Sequence, residues 1–200
     1  MQSALNCLIC HPPESDRLVL SEPALASHWV ALPRKQLAPG ATLHSAGNAM
    51  TCTWLVERGL VRSYYLGADG AERNRSFQAE GSWVGSGIPP VSSVCPFTIV
   101  AMEATQVLEL SYATLQAWHA QFAAVRPVLD EAMSCLFTTQ AKREAELLML
   151  APLARYQAFL TDHSAIVSRL PILHVASYLG ISSVSLSRIR ARLGLANQGR

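Results

Sequence analysis

Residues 170–192 read LPILHVASYLGISSVSLSRIRAR, and the spacing of their small, apolar and capping residues predicts two helices separated by a turn. Ala176 stands where two crossing helices require a small side chain, since a larger one would push them apart. Gly180, four residues later, stands where the first helix must end, because glycine readily adopts the left-handed backbone found there. Ser182 is placed to cap the second helix with its hydroxyl. The stretch therefore predicts a helix-turn-helix, the motif that presents its second helix to the major groove of DNA.

The apolar residues of this stretch give the predicted motif an inner and an outer face. Val175, Leu179 and Ile181 supply the inner face of the first helix and the turn, and Leu186 and Ile189 supply that of the second helix. The outer face keeps serines, arginines and one valine, which suit phosphates, guanine edges and a thymine methyl group. We predict that DNA is contacted by Ser182, Ser183, Val184, Ser185, Ser187, Arg188, Arg190 and Arg192.

The charge of the chain is distributed unevenly around this motif. The last acidic residue is Asp162, and residues 163–200 carry five arginines, whereas eleven basic and fourteen acidic residues leave residues 1–162 at −3. Such a split indicates a polyanionic partner for the C-terminal part. The alternatives are a basic solubilising tail, or an ordinary corner between two helices with an arginine-bearing solvent face. The many apolar residues of the stretch disfavour the tail.

The composition of the 200 residues limits the class of protein. Half of the residues are apolar and 15% are charged, so the chain can bury a core. No apolar run approaches the ~18 residues of a membrane span, and Pro12 and Pro13 interrupt an N-terminus without the early positive charge of a secretory signal. Five scattered cysteines do not form a disulfide framework. We therefore expect a cytoplasmic protein with no membrane partner.

The spacing at which apolar residues recur changes twice along the chain. Residues 32–110 read as short strands separated by turn signals, and residues 68–70 predict a hairpin between Tyr64-Tyr65 and residues 72–76. Strands at spacings of ~8–12 residues indicate a barrel or a sandwich. From Tyr112 onward the period is helical, with helices predicted at residues 114–122, from about Pro127 to Leu150, and then at 153–161, 172–179 and 183–193.

The longest predicted helix carries an apolar stripe that needs a cover. The stripe recurs at steps of three and four residues and consists of Leu129, Ala132, Met133, Leu136 and Phe137. One interpretation is a core helix packed on the barrel, and the other is a dimer interface in which two copies pack stripe to stripe.

From about Leu32 to Leu193 the chain resembles the Crp/Fnr family of transcription regulators. The residues that carry the resemblance are VASYLGI (175–181) and VSLSR (184–188), with PGATL (39–43), Gly47, WLV (54–56), Gly59, VRSY (61–64) and GSWVG (81–85). The resemblance implies an α+β fold with three parts. These are an N-terminal double-stranded β-helix (jelly-roll) sensor domain over residues 1–122, a dimerisation helix over 123–150, and an all-α helix-turn-helix domain over 151–200 that lacks most of the wing.

The resemblance also implies partners. It favours the dimer interpretation of the long helix, and thus a homodimer on double-stranded DNA with a near-palindromic operator, acting with RNA polymerase. A glutamate that reads bases in many members is replaced here by Val184, whereas Ser187 and Arg188 are retained. The operator sequences of other members therefore do not carry over.

The sensor domain departs from members that bind cyclic AMP. Those members carry a glutamate after the glycine that corresponds to Gly85 and an arginine some ten residues further on, but here Ser86 follows, and no Lys or Arg stands between Arg75 and Arg126. Burying a phosphodiester without a cation costs several kcal/mol, so we expect this chain not to bind cyclic nucleotides in the usual way. No cofactor is expected, and the sequence does not identify the effector. The candidate effector pocket is Arg73, Arg75, Trp83, Val84, Gly85 and Ser86. An exposed hairpin face is the alternative for the arginines.

The remaining motifs favour other functions less. Cys7 and Cys10 form a Cys-x-x-Cys pair, but the position of a late cluster ligand in iron–sulfur members falls near Leu108, so we expect no metal. A thiol or metal redox regulator acting through this pair is one alternative, and a β-barrel that binds small molecules is another. The predicted barrel offers His44 and little else as a metal ligand, and no catalytic motif is present, so we expect no enzyme.

Overall fold

The computed structural model describes residues 22–85 and 93–195. The described helices are α1 (Pro23–Val30), α2 (Tyr112–Gln121), α3 (Val125–Met149), α4 (Pro152–Asp162), α5 (Ile172–Leu179) and α6 (Ser183–Arg192). A short 3-10 helix covers Val167–Arg169. The described strands are β1 (Arg34–Leu37), β2 (Thr42–His44), β3 (Ala49–Met50), β4 (Cys52–Arg58), β5 (Val61–Leu66), β6 (Glu72–Gln78), β7 (Trp83–Val84), β8 (Ser93–Val94), β9 (Thr98–Ala101) and β10 (Thr105–Ser111).

The chain divides into two compact units. The first comprises Met1–Ser63 and Phe77–Thr138, and the second comprises Tyr64–Ser76 and Thr139–Arg200. The tip of the β5–β6 hairpin thus belongs to the same unit as α4, α5 and α6.

The strands form the β-roll that the sequence predicts. Two four-stranded sheets have the orders β1-β10-β4-β7 and β2-β9-β5-β6, and a two-stranded sheet pairs β3 with β8. Side chains from both larger sheets meet in one core, where Val56 and Val107 of the first sheet pack with Val61 and Ile99 of the second. The mixed α+β class is therefore confirmed.

The sheet that contains β10 is buried on both faces. Successive residues of a strand point to opposite faces, and Val107 and Leu108 are both fully buried. Val107 lies in the core between the sheets, whereas Leu108 packs against helices α1 and α2 through Leu25 and Trp118. Helix α1 was not predicted from the sequence, although Pro23 at its first position is a typical helix start signal.

One turn of the roll requires glycine. Gly59 has φ +98°, and a Cβ there would lie 2.7 Å from the backbone oxygen of Ala104. Backbone that close cannot give way, so the β4–β5 turn depends on this residue.

The second unit has a core of its own, made by one side of each helix. Tyr156 and Phe159 of α4 are buried, as are Val175 and Leu179 of α5 and Leu186 of α6. No single helix within the described ranges is long and apolar enough to cross a membrane, and the bent pair of α5 and α6 meets that test by length and composition only.

Candidate nucleic-acid interface

Helices α5 and α6 meet at a sharp corner. Their axes differ in direction by 99°, and the three residues between them include Gly180 at φ +67° and ψ 34°. The amide of Ile181 donates to the carbonyl of Ala176 at 3.1 Å, and the amide of Gly180 donates to that of Ser177 at 3.2 Å. This pair of bonds closes the helix end in the Schellman pattern, in which glycine supplies the left-handed residue. The bounds of α5 agree with the predicted 172–179, and α6 begins at the predicted Ser183.

The inner face of the corner is closely packed. Ala176 is 2% exposed and Leu186 is 0% exposed, as expected for residues at a crossing of helices. The predicted inner residues Ile181 and Ile189 are only half-buried. A helix pair at about 90–120° with a short glycine turn is the geometry of a helix-turn-helix.

The N-terminus of α6 is held by the predicted cap. The amide of Ser185 donates to Ser182 Oγ at 3.1 Å, and the two hydroxyl oxygens are 2.9 Å apart. The cap satisfies one of the amides that a helix N-terminus leaves without a helical partner.

Replacing Ser182 by alanine is expected to lower the free energy of unfolding by about 0.5–2 kcal/mol, because the amide of Ser185 loses its acceptor. Chemical denaturation of the full chain measures this change. Ser187→Ala is the matched control, since Ser187 is exposed on the same helix and caps nothing. Equal losses in the two variants would show that the cap contributes nothing.

The outer face of α6 presents most of the predicted DNA-contacting residues to solvent. Val184 is 58% exposed, and Ser182, Ser187, Arg188 and Arg192 are also exposed. The predicted contacts Ser183, Ser185 and Arg190 are half-buried. The Arg190 guanidinium donates to the carbonyl of Leu195 at 3.1 Å, so this arginine is tied to the end of its own unit. The face most open to a duplex is therefore made by Val184, Ser187, Arg188 and Arg192.

The predicted effector residues fall into separate units. Arg73 and Arg75 lie on β6 in the second unit and line a cleft of about 990 Å³ there, and Arg73 forms an exposed ion pair with Asp69 at 2.9 Å. In the first unit, Val84 is buried, Trp83 packs edge-on against Trp29, and Gly85 lies beside Thr53. Ser86 lies outside the described residues. The effector pocket stays a prediction.

A cluster of rings and one guanidinium joins α3, α4 and α5. The ring of His163 stacks on Phe159 with centroids 4.3 Å apart, and Tyr178 lies 5.4 Å from the same imidazole. The guanidinium of Arg143 lies 3.7 Å from the centre of the Tyr178 ring and donates to the carbonyl of that residue. Burial lowers the pKa of His163 below its usual range, because the cluster disfavours the charged imidazole. The sequence pattern gave no sign of this cluster, because its members come from segments that are distant in the sequence.

We expect acidification to destabilise the protein through His163. In the unfolded chain His163 takes up a proton below about pH 6.5, whereas in the folded unit its burial disfavours that proton. The free energy of unfolding is therefore highest above pH 6.5 and falls as the pH drops below it. The loss is less than about 1.4 kcal/mol for each pH unit. Denaturation at pH 7.5 and 5.5 measures it, and in His163→Phe the contribution of this residue disappears while the stacking is kept. An identical pH dependence in both proteins would contradict the assignment.

The long helix α3 has few buried side chains among the described residues. Val125 is its buried residue, Leu129 packs partly on the core beside α1 and α2, and Phe137 is 76% exposed. The other predicted stripe residues, Ala132, Met133 and Leu136, are half-buried. A core helix packed on the roll therefore describes only the first turns of α3.

Metal ligands do not gather in the described part of the chain, where no group of three or more His, Cys, Asp or Glu residues could hold an ion. Cys52 and Cys95 are free thiols, and Cys135 on α3 takes part in a disulfide. Cys7 and Cys10 lie outside the described residues, as do residues 196–200, where the predicted loss of the wing falls.

Comparisons with known proteins show which domains and folds the chain resembles. Residues 34–122 match the cyclic nucleotide-binding domain family. FixK2 of Bradyrhizobium japonicum aligns with a TM-score of 0.74 at 17% identity, over 82% of this chain and 85% of that chain. A mutant of CooA from Carboxydothermus hydrogenoformans aligns with a TM-score of 0.66 at 18% identity, over 90% and 87%. CLP of Xanthomonas campestris aligns with a TM-score of 0.64 at 15% identity, over 86% and 91%. No curated protein matches the chain.

The predicted resemblance to the Crp/Fnr family is confirmed, because these structural neighbours are regulators of that family. At identities of 15–18% the likeness establishes the fold. The neighbours are transcription regulators and not enzymes.

Proposed function

We propose that this protein is a homodimeric, cytoplasmic, sequence-specific DNA-binding transcription regulator of Crp/Fnr type. The observation that carries the proposal is the corner between α5 and α6, which buries Leu186 and leaves Val184 and Arg188 exposed. Helix α6 contains three arginines and no acidic residue, as a surface that approaches phosphates requires. The fold shared with known regulators supports the same function.

The second copy is the partner that best explains α3. Its apolar residues Phe137 and Leu148 are 76% and 74% exposed. They are eleven residues apart, and at 100° per residue this places them within about 20° of one direction on the helix. Two copies that pack along this face would cover it and hold two α6 helices at a fixed separation.

Selection of bound duplexes from a random DNA pool tests the function. Two-fold symmetry predicts an enriched near-palindrome whose half-sites lie about one helical turn, ~34 Å, apart. Enrichment of no sequence would contradict the proposal and would favour the alternative of a small-molecule-binding β-barrel. Enrichment of a single asymmetric site would contradict the dimer.

We expect no binding of cyclic AMP at micromolar concentration, although residues 34–122 match the cyclic nucleotide-binding domain. A phosphodiester that enters the roll would need a cation, and no Lys or Arg stands between Arg75 and Arg126, the stretch in which members that bind cyclic AMP carry an arginine. Isothermal titration with cyclic AMP measures the binding, and a dissociation constant in the micromolar range or below would contradict the expectation. CLP is described as responsive to c-di-GMP, so regulators of this fold need not answer to cyclic AMP.

Thiol-redox control is a second candidate function. The observation that favours it is the disulfide of Cys135, because this residue lies on α3, the helix that we assign to the dimer. Oxidation or reduction there would act on the separation of the two DNA-reading helices. The predicted roles of Cys7 and Cys10 stay predictions.

A further inference from the structure

Strand β6 is an edge strand, and a side chain of the helix-turn-helix lies along its open edge. In the order β2-β9-β5-β6 the last strand has no further strand beside it among the residues that the structure describes. The backbone amide of Asn74 donates to Ser177 Oγ at 3.0 Å, and that hydroxyl donates to the carbonyl of Glu72 at 2.9 Å. One serine of α5 thus satisfies both a donor and an acceptor that an edge strand leaves open.

The side chain of Asn74 makes a second connection to α5. Asn74 is 5% exposed, and its Nδ2 lies 3.0 Å from the backbone oxygen of His174 and 3.2 Å from Nδ1 of the same residue. A carbonyl oxygen only accepts hydrogen bonds, so the amide must present its NH₂ group there. The other proton of that NH₂ group then points at Nδ1, which must offer a lone pair. The imidazole is therefore neutral, with its proton on Nε2.

We propose that Asn74 and His174 form a proton-sensitive latch that positions the α5–α6 corner for DNA binding. The inference rests on the proposed DNA-binding function and names a form of its regulation. A proton on Nδ1 would face the donors of Asn74 and break that hydrogen bond. Rotation of the amide by 180° restores a bond to Nδ1–H but sets Oδ1 against the carbonyl of His174, so neither orientation recovers both contacts.

The surroundings of His174 allow the proton to arrive. The residue is half-buried and therefore within reach of solvent. The charged and titratable groups of the cleft beside α5 are Tyr65 of β5, Glu72, Arg73 and Arg75 of β6, Arg143 and Glu144 of α3, and Tyr178 of α5. Imidazole side chains in general gain a proton in mildly acidic solution, so acidification is expected to open the latch.

The latched state is expected to bind DNA more tightly than the open state. Val184 is 58% exposed and Arg188 is exposed while the latch is closed, so opening uncovers no additional reading surface. Opening only lets the α5–α6 corner move relative to the β5–β6 hairpin. Binding to a duplex must then order the corner again, which costs conformational entropy. Affinity is therefore expected to fall on acidification. The general effect of protonating histidines on DNA affinity is the opposite, a rise on acidification, because added positive charge strengthens binding to a polyanion.

The test is the affinity of the full chain for the duplex recovered by the selection, measured at pH 8.0 and 5.5. Wild type is expected to bind about tenfold more weakly at pH 5.5, the size of one lost hydrogen bond with its repulsion. His174→Asn keeps an acceptor at the δ position and does not titrate, so its affinity is expected to match wild type at pH 8.0 and to show no such fall. The pH effect of His163 is present in both proteins and cancels, and circular dichroism confirms that both are folded at each pH.

A variant with the opposite expected pH dependence of DNA affinity gives a second test. Asn74→Asp cannot donate to the carbonyl of His174 but attracts a protonated imidazole, so its affinity is expected to rise on acidification. Equal pH profiles in wild type and His174→Asn would overturn the latch while leaving DNA binding intact.

Hydrogen exchange separates the latch from the proposed function. If no duplex is bound at any pH, the DNA-binding proposal fails, but exchange of the amides in β6 and α5 still reports on the latch. Faster exchange in wild type than in His174→Asn at pH 5.5, with equal rates at pH 8.0, supports it. Equal rates at both values of pH would overturn it.

Discussion

Replacing Arg188 by alanine is expected to cost about 1–3 kcal/mol of specific binding to the selected duplex, a weakening of roughly 5- to 150-fold. Arg188 is exposed near the middle of α6, and an arginine in that position can form two parallel hydrogen bonds to a guanine edge. Its removal leaves that edge without its partner. Competition assays with the selected duplex and with a scrambled duplex measure the loss, which is expected mainly on the selected one.

Two variants control for charge. Arg126→Ala removes the same charge from an exposed position at the start of α3, in the first unit, and is expected to leave the affinity almost unchanged. Arg192→Ala removes a charge from the outer face of α6, and it should weaken selected and scrambled duplexes alike and reduce the salt dependence by about one phosphate contact. If Arg188→Ala binds the selected duplex as tightly as wild type, α6 does not read the groove.

Arg190 needs a different expectation from its neighbours. The sequence alone places it with Arg188 and Arg192 as an outward arginine, but its guanidinium donates to the carbonyl of Leu195. Its replacement therefore also removes a contact that holds the end of the second unit, and its effect on DNA is not a measure of phosphate binding alone.

Local signals allowed helices α5 and α6 and the turn between them to be predicted almost residue by residue. A glycine that must be left-handed, a capping serine and a small residue at a crossing are each required within a dozen positions, so the pattern is specific. The strands of the roll were predicted for a similar reason, because the short strand-like runs and the turn residues between them are local features of the sequence. The cap of Ser182 and the left-handed Gly180 are both present in the structure.

Contacts between distant segments could not be predicted in this way. Asn74 and His174 are 100 positions apart, and neither belongs to a motif. Nothing in the alternation of β6 shows that its tip belongs to the same unit as α5. The buried environment of His163 likewise depends on Phe159 and Tyr178, which only the folded chain brings together.

The largest effect on function is expected from a change on α3 and not from one on the reading helix. Phe137 is 76% exposed, so a glutamate there does not disturb the core of a single chain. In a dimer packed along this face, two such glutamates would be buried opposite each other without partners, which costs several kcal/mol. Phe137→Glu is therefore expected to be a folded monomer in sedimentation experiments.

Loss of the dimer should also remove most of the DNA affinity. Two linked α6 helices bind two half-sites with an effective concentration that a single helix lacks, so affinity for the full operator is expected to fall by about 10²–10⁴. Thr139→Glu adds the same charge about 200° away around the helix, at an exposed position, and is expected to stay dimeric. A Phe137→Glu protein that remains a dimer with full affinity would show that α3 does not join the two copies, and the two α6 helices would then need another element to hold them one helical turn apart.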